Sequence, residues 1–204
     1  MTPSFGSGKL IDSESRDEES VANVYSLLAR LWIQELDAPF LKRMAEEPLV
    51  SAFSQLGLTH PTESVEQLAI EYCGLFIGPK NALLPMQSVW QKTQLDSQSA
   101  SSVAKFAELI GYVLPAPALW DHLGVQLDLM SRFVSANHFQ NDQNEEGAVA
   151  SEVANAFFDR HLNWASPLLL ATSQRACLPV YRSLAEITQQ FLAMERATRS
   201  PASL

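Results

Sequence analysis

From Val21 onward, apolar residues return every three or four positions: Val21, Val24, Leu27, Leu28, Leu31 and Trp32. That period places them on one face of an α-helix. Ser15 with Glu18 three residues later has the form of a capping box and marks the expected start. Pro39 stands near the start of a next short helix and Pro48 near its end, and a further short helical stretch is expected from Leu49 to Leu58, closing at Gly57. Thr62 and Ser64 are candidate caps for a helix with Val65, Leu68, Ala69, Tyr72, Leu75 and Phe76 on one face. Gly78-Pro79 stops it, because glycine accepts the left-handed turn and proline cannot continue a helix. Residues 81–90 read as a loop, and Ser97–Ile110 as a helix closed by Gly111 and the pair Pro115/Pro117.

A strongly patterned helix is expected from near Leu119, with the stripe Leu123, Leu127, Met130 and Val134. Residues 137–147 are a loop by composition. Another helix runs from Glu145 to Leu162 with Val149, Val153, Phe157 and Phe158, and Pro167 interrupts the chain. The last begins at Pro179 and carries Tyr181, Leu184, Ala185, Thr188, Phe191 and Leu192 on one face. No strand-like alternation and no repeat breaks the pattern. The expectation is an all-α, single-domain bundle of about seven or eight helices plus short helical turns. It occupies residues 18–196, between an acidic tail over 1–17 and a loose tail over 197–204, and 111–117 is the candidate hinge between its halves.

Composition agrees with a folded domain: 204 residues, 47% apolar and 18% charged. The net charge of −9 argues against a phosphate-tracking surface, so no nucleic-acid partner is expected. The acidity is uneven, with a net −7 inside residues 61–160. Cys73 and Cys177 form no disulfide framework or metal pattern, and their apolar neighbours suggest buried thiols in a reducing compartment. The first fifteen residues contain no secretory apolar run, and no stretch approaches ~18 apolar residues. A cytoplasmic protein without stable membrane insertion is expected.

Enzyme signatures are missing from the sequence. Gly6-Ser7-Gly8-Lys9 is half of a phosphate loop, but Pro3 stands where the first glycine belongs and Leu10 where Ser or Thr should follow. The histidines at 60, 122, 138 and 161 include no pair at helical ligand spacing. No catalytic residue, metal or cofactor is assigned.

Three constellations remain. Residues 71–90 carry Tyr72, Leu75 and Phe76, a Gly-Pro break, then Pro85, Met86 and Trp90. Local spacing favours core for the first three, whereas a tryptophan after a proline-containing loop suits a groove. Asp121-His122 stands at a helix start, where a carboxylate complements the dipole. Asp128 and Arg132 have the spacing of a surface ion pair. Residues 157–165 hold Phe157, Phe158, His161 and Trp164 near a helix end, a packing pattern with a structural histidine.

Together these resemble the signatures of the TorD/DmsD-type redox-enzyme maturation chaperones. Glu71-Tyr72-x-x-Leu75-Phe76-x-Gly78-Pro79 followed by Pro85-x-x-Ser88-Val89-Trp90 is similar to the first motif, Asp121-His122-Leu123 to the second, and Phe157-Phe158-x-x-His161-Leu162-x-Trp164 to the third. Leu119-Trp120 departs from the acidic-proline pair common before Asp-His, and Lys80 from an aromatic found in some relatives. The resemblance implies a cytoplasmic, non-enzymatic chaperone. It would bind the twin-arginine leader, and also the folded body, of a molybdenum-cofactor oxidoreductase, and delay export until cofactor insertion. By carry-over, Tyr72, Leu75, Phe76, Pro85 and Trp90 line the peptide groove, with Asp121 and His122 on its polar side. Family members occur as monomers and as half-exchanged dimers. The rival readings are a nucleotide-binding protein or enzyme using Asp121 and His122, and an effector-binding helical domain. The acidity of residues 61–160 is expected to surround the site of a cationic leader.

Overall fold

The computed structural model describes residues 11–58, 60–91, 96–114, 119–139 and 145–199. Among them are ten α-helices and no strand: α1 Ile11–Ile33, α2 Ala38–Met44, α3 Leu49–Gln55, α4 Val65–Phe76, α5 Gln87–Gln91, α6 Asp96–Leu109, α7 Leu123–Phe139, α8 Glu145–His161, α9 Ser166–Arg175 and α10 Pro179–Arg199. A 3-10 turn over Asn163–Ala165 links α8 to α9. The fold class is all-α, as expected. Two helices exceed the expected set. The short α5 begins inside the expected loop 81–90 and ends one residue beyond it, and α9 contains Pro167. That proline sits in the first turn of α9, where its missing N–H costs nothing, so it starts a helix rather than interrupting one.

Several boundaries move. α1 begins at Ile11, so Ser15 stands inside the helix and not at its start. Residues 11–17 and 197–199 are helical, and the remainders of both expected tails lie outside the described residues. So do residues 115–117 of the expected hinge and 140–144 of the expected loop. At α4 the expected cap holds: Ser64 Oγ accepts from the Gln67 N–H at 3.2 Å, and the Gln67 side chain accepts from the Ser64 N–H at 2.9 Å.

The core lies between α1, α4, α7 and α10, with α8 and α9 closing it. α7 is buried on most of its circumference: Leu123, Leu127, Met130 and Val134 are all inside. Its first turn crosses α1 closely at Gly124, where a Cβ would run into the Ile33 side chain and stand 3.0 Å from the Ala29 carbonyl. Polar groups inside this core find partners across it. The Trp32 indole donates to Thr188 Oγ1 at 3.0 Å, and the Tyr25 hydroxyl to Glu195 Oε2 at 2.9 Å. Glu71 ties α4 to α10: its carboxylate accepts from the Cys177 N–H at 2.6 Å and the Leu178 N–H at 2.9 Å, just ahead of Pro179. A carboxylate at a helix N-terminus satisfies donors that the helix cannot.

Both cysteines are exposed, not buried. Cys73 follows buried Tyr72 by one helical step, about 100° around α4, and so faces solvent between exposed Ile70 and Ile77. Cys177 sits in the link between α9 and α10. Apolar neighbours in sequence do not bury a residue when the helix turns them to the other face.

Candidate functional site

The segments carrying the three motifs meet at one place. Residues 85–88 run antiparallel to 121–123. Leu123 N–H donates to the Pro85 carbonyl at 2.8 Å, Gln87 N–H donates to the Asp121 carbonyl at 2.9 Å, and Met86 bridges His122. Asp121 Oδ2 accepts from the Ser88 N–H at 3.2 Å and so satisfies a donor in the first turn of α5. His122 does the equivalent for α7, its Nδ1 accepting from the Gly124 N–H at 3.1 Å. That bond places the ring proton on Nε2. Burial pulls the His122 pKa down to about 4, against the raising influence of Asp121, so the ring is neutral near pH 7. α7 begins at Leu123, so Asp121 precedes its first turn instead of standing in it.

The third motif joins through a buried polar cluster. Gln87, Gln126, His161 and Trp164 are all buried. Gln87 Oε1 accepts from Gln126 Nε2 at 2.8 Å and from His161 Nδ1 at 3.0 Å. Gln87 Nε2 donates to the Arg160 carbonyl and to Gln91 Oε1, each at 3.0 Å. The Trp164 indole donates to Gln126 Oε1 and to the His161 carbonyl, each at 2.8 Å. His161 Nε2 then accepts from the Ser102 hydroxyl at 3.0 Å. Burial holds the His161 pKa near 4, with the Arg160 charge adding to the effect, so the ring is neutral and donates from Nδ1. Both polar atoms of the Gln87 side chain have partners. This residue, absent from the sequence-level candidates, is what fixes α5 against α7 and α8.

The sequence candidates fall into two groups. Tyr72, Leu75 and Phe76 are buried. Phe76 packs edge-on to Trp32 at 5.3 Å and to Tyr72 at 5.2 Å, and the Tyr72 hydroxyl donates to the Trp32 carbonyl at 3.1 Å. Burial raises the Tyr72 pKa to about 12. These three form a platform beneath the 77–84 turn, which is pinned by the Leu83 N–H donating to the Leu75 carbonyl at 2.6 Å. Pro85, Trp90, Asp121 and His122 lie at the junction itself. Pro85 and Asp121 are buried, and Trp90 and His122 half-buried. The Trp90 indole N–H donates to the Leu84 carbonyl at 2.8 Å, which fixes the ring while leaving part of its face in solvent. Leu84 is 40% exposed, Val89 47% and Leu119 52%.

The polar side is narrower than the charge distribution suggests. Among the described carboxylates of residues 61–160 with a defined partner, Glu71 caps α10, Asp128 accepts from Tyr112 and Arg132, and Asp159 accepts from Asn163. Of these partnered carboxylates, Asp121 alone stands at the junction. Its Oδ1 makes no hydrogen bond among the described residues. No hydrogen bond joins Asp121 to the His122 ring, the coupling that an acid–base relay would need. No cluster of three potential metal ligands occurs among the described residues. A groove of about 550 Å³ lies elsewhere, between α1, α2 and α3, and touches none of the three motif segments.

Residues 17–169 match the family model described as nitrate reductase delta subunit. Two curated relatives, each named chaperone protein TorD, come from Escherichia coli strain Crooks and Escherichia coli O7:K1 strain IAI39. They are 30% and 29% identical over alignments 132 positions long, which cover 55% of this chain and 64% of each relative. The match thus spans less than two thirds of those proteins. The crystal structure of a redox enzyme maturation protein from Archaeoglobus fulgidus shares the fold, with a TM-score of 0.54 at 16% identity over 95% of this chain and 99% of the other. By its matched residues, the chain belongs to the nitrate reductase delta subunit family, the TorD-like family.

Proposed function

We propose that this protein is a cytoplasmic maturation chaperone that holds the twin-arginine leader of a molybdenum-cofactor oxidoreductase at the 84–90/119–122 junction. The observation that carries the reading is the pairing of Leu84, Val89 and Trp90, each partly exposed, with a carboxylate that keeps one oxygen unpartnered. A twin-arginine leader is a cationic segment followed by an apolar one. The apolar rim would bury the second part, at about 25 cal/mol per Å² before the cost of ordering the peptide. Asp121 would receive a guanidinium of the first. Pro85, Trp90, Asp121 and His122 form the contacting group in this reading, and Tyr72, Leu75 and Phe76 support the platform from below.

Asp121 and His122 are each engaged as caps of neighbouring backbone, which favours the binding reading over catalysis by this pair. Calorimetric titration with a synthetic twin-arginine leader tests the proposal. Trp90→Ala should weaken binding about tenfold with helical content unchanged, since roughly 1.4 kcal/mol corresponds to tenfold. Failure of leaders from any molybdenum-cofactor oxidoreductase of the same genome to bind would refute it.

A further inference from the structure

The groove between α1, α2 and α3 has no role in the junction, and its chemistry is opposite. Its floor is apolar: Val24 and Leu27 from α1, Phe40 from α2, and Leu49, Ala52 and Leu56 from α3 and its cap. The last three recur at i, i+3 and i+7, so α3 turns a continuous stripe toward α1. Among the described residues, the charged ones lining the groove are two arginines, Arg30 and Arg43, in a chain whose net charge is −9. Arg30 is held by its neighbours. It stacks 4.3 Å over the Phe40 ring, donates to the Gln34 and Glu35 carbonyls, and stands 3.6 Å from Asp37. Arg43 is exposed, and its side chain makes no hydrogen bond or ion pair among the described residues.

We infer that this groove docks an acidic amphipathic helix of a partner protein, with apolar anchors on the α1/α3 floor and a carboxylate on Arg43. With Arg30 paired to Asp37, Arg43 is the cation left to select the occupant, and it favours a carboxylate over the guanidinium groups of a twin-arginine leader. A helix suits the shape. The groove follows α1 from Ser20 to Arg30, about 15 Å at 1.5 Å per residue, or nearly three turns. Its walls are helices whose backbone donors and acceptors are already paired, so an extended segment would find no ladder to join, whereas a fourth helix can set ridges into the α1/α3 groove. Ser26 and Ala52 keep the rim and floor low enough for close approach.

The test uses the full chain and two fluorescein-labelled 15-residue helical peptides with leucines at i, i+3 and i+7, one with glutamates on the flanks and one with lysines. Fluorescence anisotropy should give at least tenfold tighter binding for the glutamate peptide. Arg43→Glu should abolish that preference. Ala52→Leu, which fills the floor, should abolish binding with helicity unchanged. Trp90→Ala should leave it intact, and an unlabelled twin-arginine leader should not compete, so failure here and failure of the leader reading are separable. Equal binding of the two peptides, no binding of the glutamate peptide, or persistence of the preference in Arg43→Glu would overturn the inference. So would displacement by the leader, or self-association of the chain that Arg43→Glu abolishes, since either reassigns the groove.

Discussion

Gln87 and Gln126 look equivalent as buried glutamines, yet their replacement by leucine should differ in cost. Gln126→Leu removes two hydrogen bonds, but neither partner is orphaned. The Trp164 indole keeps the His161 carbonyl, and Gln87 Oε1 keeps His161 Nδ1. At a net ~0.5–1.5 kcal/mol per bond, partly offset by the apolar replacement, the expected loss is about 1–2 kcal/mol. Gln87→Leu removes the acceptor shared by Gln126 Nε2 and His161 Nδ1, together with the donor to the Arg160 carbonyl. His161 can shift its proton to Nε2 and donate to Ser102. The Gln126 amide has no such escape, and a buried orphaned donor costs ~1–3 kcal/mol by itself. The expected loss is therefore about 2–4 kcal/mol. Urea denaturation of both variants checks the order, and at roughly 2–4 °C per kcal/mol the two should also separate in Tm. Gln87→Leu should in addition weaken leader binding, because α5 would no longer be fixed behind Trp90. Equal losses, or a larger loss for Gln126→Leu, would refute the assignment of Gln87 as the hub.

Gly124→Ala should destabilise by about 1–2 kcal/mol in a denaturation series, although alanine is the better helix former by ~1 kcal/mol, because the new methyl meets the Ala29 carbonyl and the Ile33 backbone where α7 crosses α1. Asp121→Asn should lower leader affinity severalfold with unchanged stability, since an amide oxygen still accepts from Ser88 N–H. Asp121→Ala should lower both, by about 1 kcal/mol in stability, as measured by paired calorimetry and thermal melts. The pKa values of His122 and His161 fall to about 4 in the folded chain from 6.5 unfolded, so between those limits the unfolded chain binds more protons. Their contribution is complete above pH 6.5 and is lost as pH falls toward 4, and His161→Gln should flatten that slope in urea midpoints recorded across the window.

Much of the architecture is local and therefore legible. The stripe Leu123, Leu127, Met130 and Val134 is buried as its spacing requires, and so are Tyr181, Leu184, Ala185, Thr188 and Leu192 on α10. Capping is equally local, and Ser64 with Gln67 can be read directly. Val65 and Val149 fit helical stripes but are exposed, because the edge of a stripe is buried only if a neighbouring helix reaches it. Cys73 faces solvent because one helical step turns it off the buried face of α4. α9 is not legible because Pro167 can end one helix or begin another, and only the preceding 3-10 turn decides which.

The helical class, most helix positions and, through three ordered motifs, the family can be read along the chain alone. They follow from interactions within four residues and from residue order, and neither needs the packed molecule. Which motif residues are platform and which stand at the surface is a matter of packing. Tyr72, Leu75 and Phe76 are enclosed by α1 and α10, segments distant in sequence. Gln87, a polar residue in an apparent loop, becomes a buried hub because its four partners are gathered from α5, α7 and α8. A net charge of −7 spread over a hundred residues likewise narrows to one carboxylate with a free oxygen at the junction, because the direction of a side chain depends on what packs around it.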